Sequence, residues 1–447
     1  MKQMLHQHFN THNPKLMLLN SAYFLMWVAL CARLISTLFA PYGLLSTFGV
    51  GTWNITEFLI NYQGGFVRRG LMGEILFFFA KNFNINVVWT IKIFCLICCL
   101  AVFIFFIKSF LKKGYPLYIL PLCFFLGGII LANNWIRKDY LFFCFFIPIL
   151  WFYNKNNLSI LIKFLIINIL FVFIVLCHEI IGFFALPILF LLIFNQYKRK
   201  GNLQAVAISS LCLLPSIVAF FLVILMHGNY ETAQAIWDSW HVITNQVSSK
   251  VDLWNATSVS AIAWSSKWVV AFHLKSNFLA DDQSIFSSLV WVIILPVVYY
   301  ITTNTLLVFR KVENDFTNQH KTVLSSVLIF QLLCLSPVFA VLSNDYIRIY
   351  FYWITSSFSI FLLIPIEKIE KLFPAGFIHV VEYINNMLAN ILRPSKTTLV
   401  FLMMFIGISG CGFALELGFL KTTMLYNVLW VLSKPLLILR DFLLSMF

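Results

Sequence analysis

Between Asn54 and Glu74 the chain reads NITEFLINYQGGFVRRGLMGE, with adjacent arginines (Arg68, Arg69), two carboxylates (Glu57, Glu74) and four glycines (Gly64, Gly65, Gly70, Gly73). A charge at membrane depth costs at least ~3 kcal/mol on insertion scales, so an anion or a structural carboxylate has to offset the two arginines. Gly64 and Gly65 let backbone N–H groups approach an anion closely, and Arg68 and Arg69 add bidentate hydrogen bonds to phosphate oxygens. Adjacent helical residues point ~100° apart, so one arginine can face a ligand while the other pairs with a carboxylate such as Glu74. The plainer alternative is a tight turn with packing glycines and snorkelling arginines. Glu57, just upstream, has the chemistry of a general base on a hydroxyl, or of a solvated or arginine-paired acid.

Three more short motifs invite the same double reading. In NNWIRKD (133–139), Arg137 and Lys138 either clamp a pyrophosphate, with Asp139 orienting one of them, or form a helix-capping turn. His178-Glu179 is an acid/base pair, a metal-ligand pair or a buried hydrogen-bonded pair; the chain has no H-E-x-x-H pattern, so no metal is expected. Asp345 and Arg348 are spaced to share a helix face and form an ion pair, with Arg348 also able to reach a substrate phosphate. The segment 227–284 carries Trp237, Trp240, Trp254, Trp264 and Trp268 with Asp238, Asp252, Asp281 and Asp282. Flat rings beside carboxylates suit sugars, which makes Trp237 and Trp240, with Asp345, the glycan-binding candidates. Tryptophans anchoring amphipathic helices at a membrane interface are the alternative.

The elements that must position these groups are membrane helices. Of 447 residues, 61% are hydrophobic and 11% charged, against about 25% charged in a soluble domain. Mean hydropathy is +0.89. The net charge of +14 does not point to nucleic acid, because no basic run exceeds Lys198-Arg199-Lys200 and most Lys and Arg fall in short connections between apolar runs. The ten cysteines lie within or at the ends of apolar runs and read as packing residues. Nothing calls for a cofactor. The first fifteen or so residues are polar and the run after them is long enough to stay in a bilayer, so no cleaved leader is expected.

With the N-terminus cytoplasmic, spans of ~20 residues give about eleven crossings, twelve if the apolar tail 416–447 also crosses. The expectation is one all-α, polytopic transmembrane domain over 1–447. It has a first outer segment at 41–84 with a re-entrant or in-plane helix near 71–80, and a large outer loop at 227–284. Apolar runs 115–132 and 397–415 count among the spans. This orientation puts every unusual polar motif on one outer side.

A first span, a long first outer loop with an acid and juxtamembrane helices, and then many short connections resemble the GT-C superfamily of membrane glycosyltransferases. The chain is also similar to O-antigen polymerases of bacterial surface-polysaccharide clusters, which are equally hydrophobic, rich in Phe, Ile and Asn, and arginine-bearing on the periplasmic face. The resemblance implies a GT-C-like arrangement in the bacterial inner membrane. It also implies glycosyl transfer from a polyprenyl-(pyro)phosphate-linked sugar, in lipopolysaccharide or capsule biosynthesis alongside other polysaccharide-assembly proteins. By it, Glu57 matches the acid of the first outer loop, where GT-C enzymes more often carry an aspartate. Arg68, Arg69, Arg137 and Arg348 become lipid-phosphate ligands, and Glu57 or His178 would take the acceptor proton. A transporter or flippase of a lipid-linked or anionic substrate is the alternative; it should show charges near the midplane and repeated halves with broken helices. A scaffold whose motifs are only ion pairs is the third.

Overall fold

The computed structural model describes residues 14–40, 50–243, 253, 257–275, 282–309, 317–343, 345–408 and 418–444, and every regular element among them is helical. The polar N-terminus before Pro14, part of the first outer segment (41–49), and Asp252, Trp254 and Asp281 lie outside the described residues. In chain order the main helices are α1 (Pro14–Phe39), α2 (Val50–Thr56), α3 (Gly70–Phe83), α4 (Val87–Lys112), α5 (Asp139–Asn154), α6 (Ile160–Cys177) and α7 (Ile180–Tyr197). They continue with α8 (Asn202–Cys212), α9 (Leu214–Leu225), α10 (Tyr230–Ile243), α11 (Ser266–Leu274), α12 (Asp282–Val308) and α13 (Asn318–Pro337). The last four are α14 (Tyr346–Leu363), α15 (Ala375–Leu392), α16 (Lys396–Phe405) and α17 (Met424–Leu444).

Among the described residues six helices are long and apolar enough to cross a membrane: Leu19–Phe39, Val87–Lys112, Ile160–Cys177, Ile180–Lys200, Asn318–Leu342 and Tyr346–Leu363. A seventh exists if α8 and α9, bent by 66° at Leu213, make one broken span. The chain is a multi-pass, all-α membrane protein, with six or seven such helices among the described residues.

Two of the expected spans are built differently. Residues 115–132 fold not as a span but as a single 3-10 turn (Leu117–Ile119), further turns and a one-turn helix (Gly128–Leu131). Phe124, Phe125, Leu126, Ile129 and Ile130 are fully buried, so the hydropathy of this stretch reports burial in protein rather than exposure to lipid. Near 397–415, α16 has ten residues, about 15 Å at 1.5 Å per residue and half of a bilayer core.

The bend between α8 and α9 is held by one side chain on α6. Asn168 Nδ2 donates to the Cys212 carbonyl at 2.8 Å, and Asn168 Oδ1 accepts from the Ser216 N–H at 3.2 Å and hydroxyl at 2.6 Å. The helix expected near 71–80 is α3, whose contact with the Phe58–Tyr62 segment depends on glycine. A Cβ at Gly73 would lie 1.9 Å from the Ile60 carbonyl oxygen, and that oxygen is backbone and cannot step aside. The apolar tail carries α17, which lies along α1; Arg33 Nε donates to Asn427 Oδ1 at 3.1 Å and packs over the Trp430 ring.

The bundle has two different ends. At one end α4 finishes in Lys112, and Asn154 at the close of α5 donates to the Leu363 carbonyl at the close of α14. Lys155 follows α5, and Lys198–Lys200 follow α7, which runs antiparallel to α6 and so ends on that same side. The opposite end gathers the starts of α5, α7 and α14, the close of α6, and the segment from Glu57 to Arg69.

Candidate functional site

Glu57 follows the short helix α2, and its neighbour Thr56 is pinned across the chain: the Ser258 N–H donates to Thr56 Oγ1 at 3.0 Å. From there the segment turns through Gly65, at φ 116, and reaches Arg69, which sits at φ 66 and opens α3. A left-handed non-glycine residue costs about 1–3 kcal/mol and persists only where its surroundings over-determine it. The surroundings here are a carboxylate fork. Arg69 Nε lies 3.0 Å from each oxygen of Glu179, and Arg69 Nη2 donates to Glu179 Oε1 as well.

Beside this pair runs a chain of ions from three parts of the sequence. Arg137 Nε donates to Glu57 Oε2 at 3.0 Å and Nη1 to Asp345 Oδ2 at 3.2 Å. The same Asp345 oxygen accepts from Arg348 Nη1 at 3.0 Å, and Arg348 Nε donates to Asp139 Oδ1 at 2.8 Å. The Tyr352 hydroxyl also donates to Asp139 Oδ1. Lys138 turns the other way: its Nζ donates to the carbonyls of Arg69 (3.1 Å) and Cys177 (3.3 Å) and lies over the Phe58 ring.

His178 joins the two halves, with Nε2 3.6 Å from Glu57 Oε1 and Nδ1 3.4 Å from Glu179 Oε2. The Ile180 N–H donates to His178 Nδ1 at 3.2 Å, so Nδ1 is the acceptor and the proton sits on Nε2, facing Glu57. Burial first and the Arg69 charge second push the His178 imidazolium well below its ordinary range, against the pull of Glu179 and Glu57. The ring is neutral.

Burial alone would raise the carboxyl groups of Glu57 and Glu179, but their cations outweigh it. Arg137, Arg348 and Lys138 hold Glu57 far below the usual carboxylate range, and Arg69 with Arg68 does the same for Glu179. Burial lowers the Lys138 ammonium. Four cations (Arg69, Arg137, Lys138, Arg348) thus meet four carboxylates (Glu57, Asp139, Glu179, Asp345), almost wholly out of water. Two carboxylate oxygens stay without a hydrogen bond among the described residues: Glu57 Oε1 and Asp139 Oδ2, on side chains only 1% exposed. A buried acceptor left in this state costs about 1–3 kcal/mol or more, so each is a place for an incoming hydroxyl or water.

The sequence-derived candidates therefore meet, but not as an open cradle of arginines. Arg69 pairs with Glu179 rather than Glu74, whose oxygens take the Tyr62 N–H and the Gln63 side chain, both at 2.8 Å. Arg68 is the arginine left for a ligand. It donates from Nη2 to the carbonyls of Ala261 (2.8 Å) and Trp264 (3.2 Å), and no carboxylate among the described residues lies within ion-pair distance. Asp139 orients Arg348, not Arg137 or Lys138. Arg348 and Asp345 form the expected i, i+3 pair.

Gly64 is a packing residue, since a Cβ there would lie 2.6 Å from the Thr232 carbonyl oxygen of α10. Trp237 and Trp240 do not offer sugar-stacking faces: both are buried, and the Trp240 indole N–H is spent on the Leu59 carbonyl at 2.8 Å. Trp240 ties α10 to the Glu57 segment instead. Tyr352 is the member that sequence reasoning missed. Asp345, Arg348 and Tyr352 fall at i, i+3 and i+7, the stripe of one helix face, and that spacing was the available signal. No group of three or more His, Cys, Asp or Glu among the described residues is arranged to hold a metal ion. No protein family, curated protein or solved structure matches the chain.

Proposed function

We propose that the protein is a membrane glycosyltransferase or polymerase that takes its sugar from a polyprenyl-phosphate or polyprenyl-pyrophosphate carrier at the periplasmic face of a bacterial inner membrane, in cell-surface polysaccharide synthesis. The observation that carries this reading is the convergence of four separate polar motifs, Glu57–Arg69, Arg137–Asp139, His178-Glu179 and Asp345–Arg348, on one end of the bundle. The basic ends of α4, α5 and α7 lie opposite, which under the positive-inside rule makes the ionic end the outer one.

In this reading an acceptor hydroxyl hydrogen-bonds to the open Oε1 of Glu57. Its oxygen attacks the anomeric carbon as the bond from that carbon to the phosphate oxygen breaks, and the electron pair leaves on the phosphate. Glu57 is a weak base, so it takes the proton late, when bond formation has made the hydroxyl acidic. Arg137, bonded to the other oxygen, fixes the orientation of Glu57, and the neutral His178, 3.6 Å from Oε1, lines the place the hydroxyl takes. Arg68 receives the departing phosphate, while Arg69, Arg137 and Arg348 supply a fixed field from positions locked by their carboxylates. A transporter would use a broken helix such as α8–α9, but at that break the Cys212 carbonyl and the Ser216 N–H are already bonded to Asn168.

The test is the surface glycan and lipid-linked intermediates of a deletion strain complemented with wild type, Glu57→Gln or Arg68→Gln. Loss of polymer with phosphate-linked saccharide accumulating outside supports the reading, and the two variants should resemble the deletion at normal protein levels. Intermediates held on the cytoplasmic leaflet would replace it with a flippase, and an unchanged glycan profile would end it.

A further inference from the structure

Next to Arg68 stands a row of aromatic rings to which the mechanism above gives no work. Trp53 and Trp264 have ring centroids 6.0 Å apart, Trp264 and Trp268 4.7 Å, and Trp268 and Phe272 5.0 Å with planes within 10°. The row runs outward: Trp268 is 44% and Phe272 39% exposed, and α11, which carries both, buries none of its residues. Its inner end is the Trp264 carbonyl that accepts from Arg68. Arg68 Nε and Nη1 make no hydrogen bond among the described residues, so two of the three guanidinium nitrogens remain for a ligand. The far end of α11 is tied to the ionic cluster too, through packing on Val338–Leu342 and the charge of Asp345 acting on His273.

A row of exposed tryptophans alone would read as a membrane-interface anchor. Such an anchor gives no reason for a mostly buried guanidinium at its foot, hydrogen-bonded only to neutral carbonyls and beyond ion-pair distance of any carboxylate among the described residues. That cation asks for an anion, and the rings ask for flat, weakly polar faces beside it. We propose that Trp264, Trp268 and Phe272, with Trp53 behind them and Arg68 at their foot, form the subsite for the saccharide-phosphate headgroup of the carrier lipid. Sugar faces lie on Trp268 and Phe272, and phosphate oxygens meet Arg68 Nε and Nη1. This deepens the glycosyltransferase reading and rests on it. It also moves the glycan contact from Trp237 and Trp240 to rings that are open.

The experiment is to purify the full chain from its native membranes in mild detergent and to quantify, by mass spectrometry, the prenyl-linked phosphosaccharide carried per protein. Wild type should carry it. Trp268→Ala/Phe272→Ala and Arg68→Gln should each carry at least tenfold less, Trp268→Tyr should retain it, and Trp151→Ala, an exposed ring at the basic end, should match wild type. Full retention in the double-alanine protein would overturn the subsite and leave the enzyme reading standing. Wild type carrying bulk phospholipid alone would also overturn it, and the ladder would then be a membrane anchor. An unchanged glycan profile in the deletion strain is the separate result that removes the function on which the subsite depends.

Discussion

The cluster is built so that its arginines are held rather than free, and that has consequences residue by residue. Removing one partner of a buried ion pair leaves an uncompensated charge and costs about 3–5 kcal/mol, more than the pair itself contributes. Glu179→Ala should therefore lower unfolding stability by that amount, whereas Arg69→Met/Glu179→Leu should recover most of it and still make no polymer. Recovery of both in the double variant would mean that Arg69 has only a structural role. His178 gives a pH signature. Its folded pKa lies below the ordinary 6.5, so the unfolded state binds the extra proton. Its contribution to stability is full above about 6.5 and declines as pH falls toward the depressed value, by up to about 1.4 kcal/mol per pH unit. His178→Gln should flatten the slope of thermal stability between pH 6.5 and 5 by about one proton. An unchanged slope would show that the acid sensitivity belongs to the carboxylates.

At the scale of elements, two side-chain choices decide whether the helices can sit where the cluster needs them. Asn168 closes the α8–α9 break, so Asn168→Leu should leave the Cys212 carbonyl and the Ser216 N–H unpaired in an apolar setting, at about 1–3 kcal/mol for each. A thermal scan in detergent that found Asn168→Leu as stable as wild type would mean that the break is held by packing. Gly73→Ala meets a backbone oxygen at 1.9 Å, so it should dislodge α3 from the Phe58–Tyr62 segment and cost activity together with folded yield. Part of this was legible in the sequence. Gly64, Gly70 and Gly73 mark close packing, which was the plainer of the two readings, Asp345 and Arg348 share a helix face, and a short helix follows Arg69. The partner choices were not, because Arg69–Glu179 and Arg137–Glu57 join residues 110 and 80 positions apart, and one sequence carries no signal for such distances. The fate of 115–132 was hidden for a different reason: a residue buried by protein and one facing lipid have the same hydropathy.

For the whole molecule the central quantity is polarity along the bundle axis. Lysine-rich turns close α4, α5 and α7 at one end, and at the other Arg68, Arg69, Arg137 and Arg348 lie among carboxylates and carbonyls. In the orientation we propose, these arginines run against the positive-inside trend. The cluster gives a reason why that would be tolerated: all but Arg68 are paired with carboxylates in place, so this end carries little net charge for the membrane potential or the insertion machinery to act on. The sequence pointed to this arrangement when its basic connections alone set the orientation and the odd polar motifs then fell on one side. Sidedness is open to direct measurement. Ser266→Cys, on α11 beside the aromatic ladder, and Asn157→Cys, in the turn between α5 and α6, are exposed positions at opposite ends. An impermeant maleimide applied to intact cells should label the first above the background of the unsubstituted chain, and the second only after permeabilisation. Labelling of Asn157→Cys from outside, with Ser266→Cys protected, would turn the ionic end toward the cytoplasm. Glycosyl transfer from an outward-facing carrier would then be impossible, and the same cluster would have to act on a substrate presented from within.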